Sequence, residues 1–221
     1  MIALAFVLVL AARPTPVETP RTAGDYINAF SIAMDAEQYA AAEKIAREGQ
    51  GRFPNALGFH LLIGTALLGR DKPADAFYEL EWELLRDGAQ RPPGEAAGEK
   101  ARKILEIGRG TDVDEVRSVM SALQQLDSDP EAAVKAIQHV RERRKAFVLD
   151  VHLAEALSRA GHDAEAIAEF RDVLAQDAFF VPAYVELSEL LKKSGKTAEA
   201  STLRQKARQL DADHPIFKEL P

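Results

Sequence analysis

The chain has 221 residues, 47% apolar, 7% aromatic and 29% charged, with a formal charge of −7 and a pI near 5.3. The apolar share supplies a core and excludes global disorder, while the acidic balance excludes nucleic acid as the main partner, since a phosphate backbone is held by clustered Lys and Arg. The absence of cysteine excludes disulfides, thiolate catalysis, cysteine-based zinc sites and a lipid anchor on cysteine, and is compatible with an oxidising compartment without requiring one.

The first segment, Met1 to Ala12, carries no charged side chain. As a helix it would be about 18 Å long, short of the roughly 30 Å hydrocarbon core of a bilayer. It therefore reads as the apolar region of a secretory signal, with Val9 and Ala11 at the cleavage-specificity positions, although no Lys or Arg precedes it. Cleavage would export the protein to the periplasm or medium. An uncleaved leader would be its membrane contact, and a leader packed as a helix would leave the protein cytoplasmic. Residues 13–22 contain three prolines and read as a spacer.

Beyond the spacer, alanine and leucine dominate and no stretch alternates apolar with polar, so the elements are predicted to be helices. Pro73 and Pro130 are placed to open helices, where a missing N–H is harmless. Between Gly88 and Asp112 the pattern breaks, and a segment from Gly94 to Ile107 reads as an extra helix with a narrow stripe of Ala101, Ile104 and Leu105. The basic run Arg141-Glu142-Arg143-Arg144-Lys145 falls at a predicted helix end, where cations suit the dipole and the last carbonyls. Leu153, Leu157, Gly161 and Ala166 recur 34 residues later as Leu187, Leu191, Gly195 and Ala200, and Ala42 recurs as Ala76.

A 34-residue period with small and large apolar residues at these slots resembles the tetratricopeptide repeat. The family pattern places first residues at Ala23, Leu57, Val113, Phe147 and Val181, with Ala42, Ala76, Ala132, Ala166 and Ala200 at the small slot of each second helix. Arg204 stands where a large apolar residue is usual, which suits a terminal helix from Thr197 to Leu210 with nothing beyond it to bury its outer side. The organisation expected is a leader at 1–12, a spacer at 13–22, two repeats over 23–90, an insertion at 91–112, three repeats over 113–214 and a tail at 215–221. The resemblance implies an all-α, right-handed solenoid of antiparallel helix pairs, about eleven helices in all, serving as a scaffold or adaptor for a protein or peptide.

The resemblance also implies which residues line the concave groove. These are Ile27, Ser31, Met34 and Asp35 in the first repeat, Leu61, Thr65 and Leu68 in the second, and Arg117, Ser121, Gln124 and Gln125 in the third. The fourth offers Val151, Glu155 and Arg159, and the fifth Val185, Glu189, Lys192 and Lys193. The amino-terminal half of this lining is apolar and the carboxy-terminal half carries both charges. An apolar half either receives a partner's apolar face or is filled by the leader or the extra helix. The Lys/Asn clamp with which some family members hold chaperone tails is missing, because Ile27, Ser31, Leu61 and Leu62 stand there.

No catalytic or metal-binding constellation emerges, and no cofactor is implied. His60, His139, His152, His162 and His214 make no H-E-x-x-H and no ligand spacing, and read as surface or half-buried structural residues. Gly49-x-Gly51 and Gly108-x-Gly110 read as helix-end glycines, not phosphate loops. Phe77, Tyr78 and Trp82 are expected to pack the second repeat. The remaining alternatives within one fold are a cytosolic regulator or co-chaperone-like adaptor, and an accessory that presents substrate to an enzyme encoded elsewhere.

Overall fold

The computed structural model describes residues 22–87 and 111–217. Ten α-helices follow one another among these residues: α1 (Ala23–Asp35), α2 (Tyr39–Arg52), α3 (Phe59–Gly69), α4 (Pro73–Asp87), α5 (Thr111–Gln124), α6 (Pro130–Arg141), α7 (Phe147–Arg159), α8 (Asp163–Gln176), α9 (Val181–Lys193) and α10 (Thr197–Leu210). A 3₁₀ turn, Pro215–Phe217, closes the described chain. Each helix packs on its sequence neighbour from α1 to α4 and again from α5 to α10, which is the arrangement of an α-solenoid. The leader, the spacer up to Arg21 and the extra helix expected from Gly94 to Ile107 lie outside the described residues.

Local chemistry sets the ends. Thr22 caps α1 reciprocally: its hydroxyl accepts from the Asp25 N–H at 3.2 Å, and its own N–H donates to the Asp25 carboxylate at 2.8 Å. Pro73 and Pro130 open α4 and α6 as their positions predicted, and Asp129 caps α6 through the Ala132 N–H. Four of the five pairs turn through three residues, and the turn repeats one geometry. Its middle residue takes a left-handed backbone at Glu37 (φ 56°), Asp71 (φ 56°), Gly161 (φ 81°) and Gly195 (φ 79°). The next N–H then reaches back five residues, from Gln38 to Ala33, Lys72 to Leu67, His162 to Leu157 and Lys196 to Leu191, at 2.8–3.0 Å. These four positions keep the 34-residue step inside each block, so the period in sequence is a period of turns.

The small slot works as the resemblance implies in four repeats and is corrected in the third. Ala42, Ala76, Ala166 and Ala200 are each the fourth residue of their helix and are buried. In α6 the fourth residue is Ala133, which is 1% exposed, while Ala132 faces solvent. The cause is the α5–α6 turn, which runs from Gln125 to Asp129 instead of three residues and so shifts the face of α6. Two boundaries also move: α5 starts at Thr111, ahead of Val113, and α3 starts at Phe59, after Gly58 has taken a left-handed φ of 99°.

Two cores result. Phe30, Ala33, Ala42, Ala46, Ile63, Ala66, Leu67 and Ala76 fill the amino-terminal block, and a larger cluster from Val113 to Ala200 fills the carboxy-terminal one. Helix α4 belongs to both. Its Ala76 packs into the first core, while Ala74, Phe77 and Tyr78 join the second, with Trp82 and Leu85 packed against it. Phe77, Tyr78 and Trp82, expected to pack the second repeat, thus serve chiefly to join the blocks. The outer side of α10 is polar, as a terminal helix requires, and is finished by Ile216 and Phe217, with the Arg208 guanidinium 4.5 Å from the Phe217 ring centre.

Candidate interaction surfaces

The first helices of the pairs are α1, α3, α5, α7 and α9, and the structure places the groove residues along them in two groups. On α1 and α3, Ile27 is 44% exposed and Ser31 is exposed, while Met34, Leu61, Thr65 and Leu68 are half-buried. Ser31 and Thr65 turn their hydroxyls back onto the carbonyls of Ile27 and Leu61, at 3.0 and 2.8 Å, which leaves the apolar side chains to define this face.

On α5, α7 and α9 the lining is charged and internally paired. Arg117 meets Asp114 at 3.0 Å, Arg159 meets Asp127 at 2.9 Å, and Glu189 meets both Arg204 and, at 4.0 Å, Lys192. Gln124 is exposed and Glu155 binds His152. Exposed pairs of this kind contribute only about 0–1 kcal/mol each, so they can be exchanged for a ligand's charges at low cost. Glu186, between them, has its carboxyl pKa raised by burial first and then by Glu155 and Glu189, against the opposing Arg159. Val151 and Val185, implied groove residues, are instead buried.

Val151 shares its buried cluster with Phe77 and Tyr78 of α4, the helix that makes the second feature, a seam. This helix crosses α5, α7 and α9, the first helices of all three later pairs. Its side chains along the seam recur every four residues. Tyr78 lies under the Arg144 guanidinium, 5.6 Å from ring centre to carbon, and Arg144 also pairs with Asp75 on α4 and, at 3.1 Å, with Asp112. Trp82 is stacked between the rings of His60 (3.9 Å) and Phe147 (4.0 Å), and its indole N–H donates to Asp177 at 3.3 Å. Arg86 is buried against Asp177 at 3.6 Å and donates to the Pro54 carbonyl at 2.6 Å. His214 accepts the Ile216 N–H at Nδ1, so its Nε2 carries the proton, which points at the Arg86 carbonyl 3.2 Å away.

Sequence reasoning missed this seam, and one reading is extended and another corrected. The basic run falls at the end of α6 as expected, with Arg141 in its last turn, and its guanidinium groups also bind acids: Arg141 pairs with Asp150 and Glu169, Arg143 with Glu115, and Arg144 with the acids of α4 and α5. The histidines are not all surface or half-buried residues, because His60, His152 and His214 are 2–4% exposed. Burial acts to lower the His152 pKa, but its hydrogen bond to Glu155 and the charges of Glu155 and Glu81 prevail and raise it. The signal available in the sequence was the Tyr78, Trp82, Arg86 spacing, a second apolar-aromatic stripe on a helix that already had one.

The seam also carries unsatisfied groups. The Tyr78 hydroxyl and His152 Nε2 are buried without a hydrogen-bond partner among the described residues, and an unsatisfied buried group costs about 1–3 kcal/mol. Burial pushes the Tyr78 pKa up to about 12, with Arg144 opposing. Beside the seam lies a cleft of ≈ 450 Å³, lined by Arg47, Lys72, Glu79, Trp82, Arg144 and Lys145 among others. At its edge burial opposes ionisation of Glu43, but hydrogen bonds from Arg47 and Arg70 outweigh it and hold its pKa low. Among the described residues no group of His, Asp and Glu could hold a metal, and no helix is long and apolar enough to cross a membrane.

The sequence matches no protein-family model and no curated protein. Among solved structures it is similar to YrrB, described as a TPR protein with an unusual peptide-binding site, at 17% identity and a TM-score of 0.42 over 90% of this chain and 92% of that one. It is similar to MamA of AMB-1 at 19% identity and 0.41, over 85% and 98% of the two chains. It is similar to the TPR domain of P58(IPK) at 17% and 0.40, over 89% and 63%. Likeness at this level carries no conclusion about ligands, and the architecture rests on the chain's own helix pairs. Their repeated left-handed turn, and a buried alanine that steps by 34 residues from Ala42 to Ala76 and from Ala166 to Ala200, make the described residues an α-solenoid of helix pairs with a period like that of tetratricopeptide arrays.

Proposed function

We propose that the protein is an interaction scaffold of the cell envelope, taking a partner protein's helix or extended segment on the face formed by α1 and α3. The observation that carries this reading is the apolar row of that face. Ile27 is 44% exposed on α1, and Met34, Leu61 and Leu68 are half-buried on α1 and α3, the first helices of adjacent pairs. Covering each contributes on the order of 1.5–3 kcal/mol before the ordering costs of binding. The apolar run Met1 to Ala12 and the proline-rich spacer after it support delivery by export.

The test is crosslinking and affinity capture from the native host, comparing wild type with an Ile27→Asp, Leu61→Asp variant that retains its helical circular dichroism. The reading expects a protein held by wild type and lost from the variant, and an identical catch with both refutes it. For the envelope placement, mass spectrometry of the mature protein should find its first residue at Ala12 or Arg13. An intact Met1 in the cytosolic fraction overturns that part alone.

A further inference from the structure

We propose that α4 is an exchangeable internal ligand, and that the carboxy-terminal array beneath it is a second docking surface. Its occupant in trans is an amphipathic helix carrying two aromatic residues and an arginine at four-residue spacing. The pattern is read from α4 itself, where Tyr78, Trp82 and Arg86 meet Arg144, Phe147 and Asp177.

Three observations carry the inference. The contact lies outside the packing of each helix on its sequence neighbour, since α4 reaches α5, α7 and α9 across a long stretch of chain. It is anchored by aromatic residues and arginine, the residue types that concentrate binding energy at separable interfaces. Second, α4 touches the first helices of three successive pairs, which is the path a bound helix takes along a solenoid groove and not the path of a next repeat. Third, the seam is imperfectly satisfied: the Tyr78 hydroxyl and His152 Nε2 are buried without partners among the described residues, and Arg86 and Asp177 are a buried ion pair. Groups that regain water on separation favour a contact that opens over one that is permanent. While α4 is seated, the array's affinity for a competing helix is reduced by the fraction of molecules in which the seat is free. This surface lies on α5, α7 and α9 and on the turns that carry Arg144 and Asp177, and it shares no residue with the α1–α3 face.

The probe is a fluorescein-labelled, amidated peptide of residues 73–87, titrated by anisotropy into the full chain. Wild type is compared with a Trp82→Ala, Arg86→Ala full-length variant, in which the internal helix competes poorly. The variant should bind the peptide at least tenfold more tightly than wild type, and adding Asp177→Ala to it should weaken binding at least fivefold. Equal affinity for wild type and variant, or affinity indifferent to Asp177, overturns the proposal. Dimerisation of the variant without peptide would assign the seat to a second copy of the chain and overturn the heterologous partner. A measurement that needs no weakened fold uses the cysteine-free background: spin labels at Lys72→Cys and Lys145→Cys, which face one cleft from either side of the seam. Excess peptide should add a longer component to their distance distribution, and an unchanged distribution overturns the proposal.

Discussion

Replacing Gly64 by alanine sets two effects of similar size against each other on α3. A Cβ at this position would sit 2.6 Å from Leu80 Cγ and 2.7 Å from Cδ2, with the Ala76 carbonyl oxygen at 3.2 Å. Carbon atoms attract best at about 3.5–4.0 Å, so the Leu80 side chain would have to retreat by about 1 Å. Leu80 is 1% exposed, so it must move within a packed interior. Overpacking of this kind costs about 1–3 kcal/mol, whereas alanine gains about 1 kcal/mol over glycine in a helix interior. The net expectation is a loss of about 1 kcal/mol. Gly51→Ala on α2 is the control, because nothing lies within 4 Å of its Cβ position and only the propensity gain remains. Urea denaturation followed by circular dichroism, with the single tryptophan, Trp82, as a local probe of the seam, compares the two. If Gly64→Ala raises stability as Gly51→Ala does, α3 and α4 are not in the close contact described here.

The repeated turn and the shifted third repeat make further expectations. Glu37→Gly and Asp71→Gly remove side chains from left-handed positions that cost about 1–2 kcal/mol. After the added entropy of a glycine in the unfolded chain, each should stabilise by about 0.5–1 kcal/mol, seen as a higher melting temperature, and a lower one would refute the turn geometry. In α6, Ala133→Leu should cost about 1–3 kcal/mol, whereas Ala132→Leu should stay within about 0.5 kcal/mol of wild type. The reverse order in chemical denaturation would restore the unshifted register.

The exposure of the apolar residues on α1 and α3 was legible from residues because it depends on helices whose register the 34-residue step sets directly. Ile27 and Met34 on α1, and Leu61 and Leu68 on α3, fall outside the fully buried set, and the observed exposure of Ile27 needed no long-range information. The carboxy-terminal half was less legible. Glu155 and Arg159 lie on α7 and Glu189 and Lys192 on α9, but Val151 is buried in the cluster that α4 joins. Ala132 misled because alanine occupies both it and Ala133, so composition could not register a lengthened turn.

Helix identity, the places where Pro73 and Pro130 start helices, and the pairing of neighbours were all decided locally. Apolar spacing, capping and three-residue turns act over a handful of residues, and the same solution repeats wherever the same local sequence does. The folding of α4 onto α5, α7 and α9 was decided only in three dimensions. Its contacts join residues up to 128 apart in sequence, as in His214 against the Arg86 carbonyl. Periodicity marks which residues a helix must bury but not what will cover them, and a helix with two apolar stripes has two choices of neighbour. The competition between those surfaces for water-free contact is settled by the whole chain at once, and here it places Trp82 between His60 and Phe147.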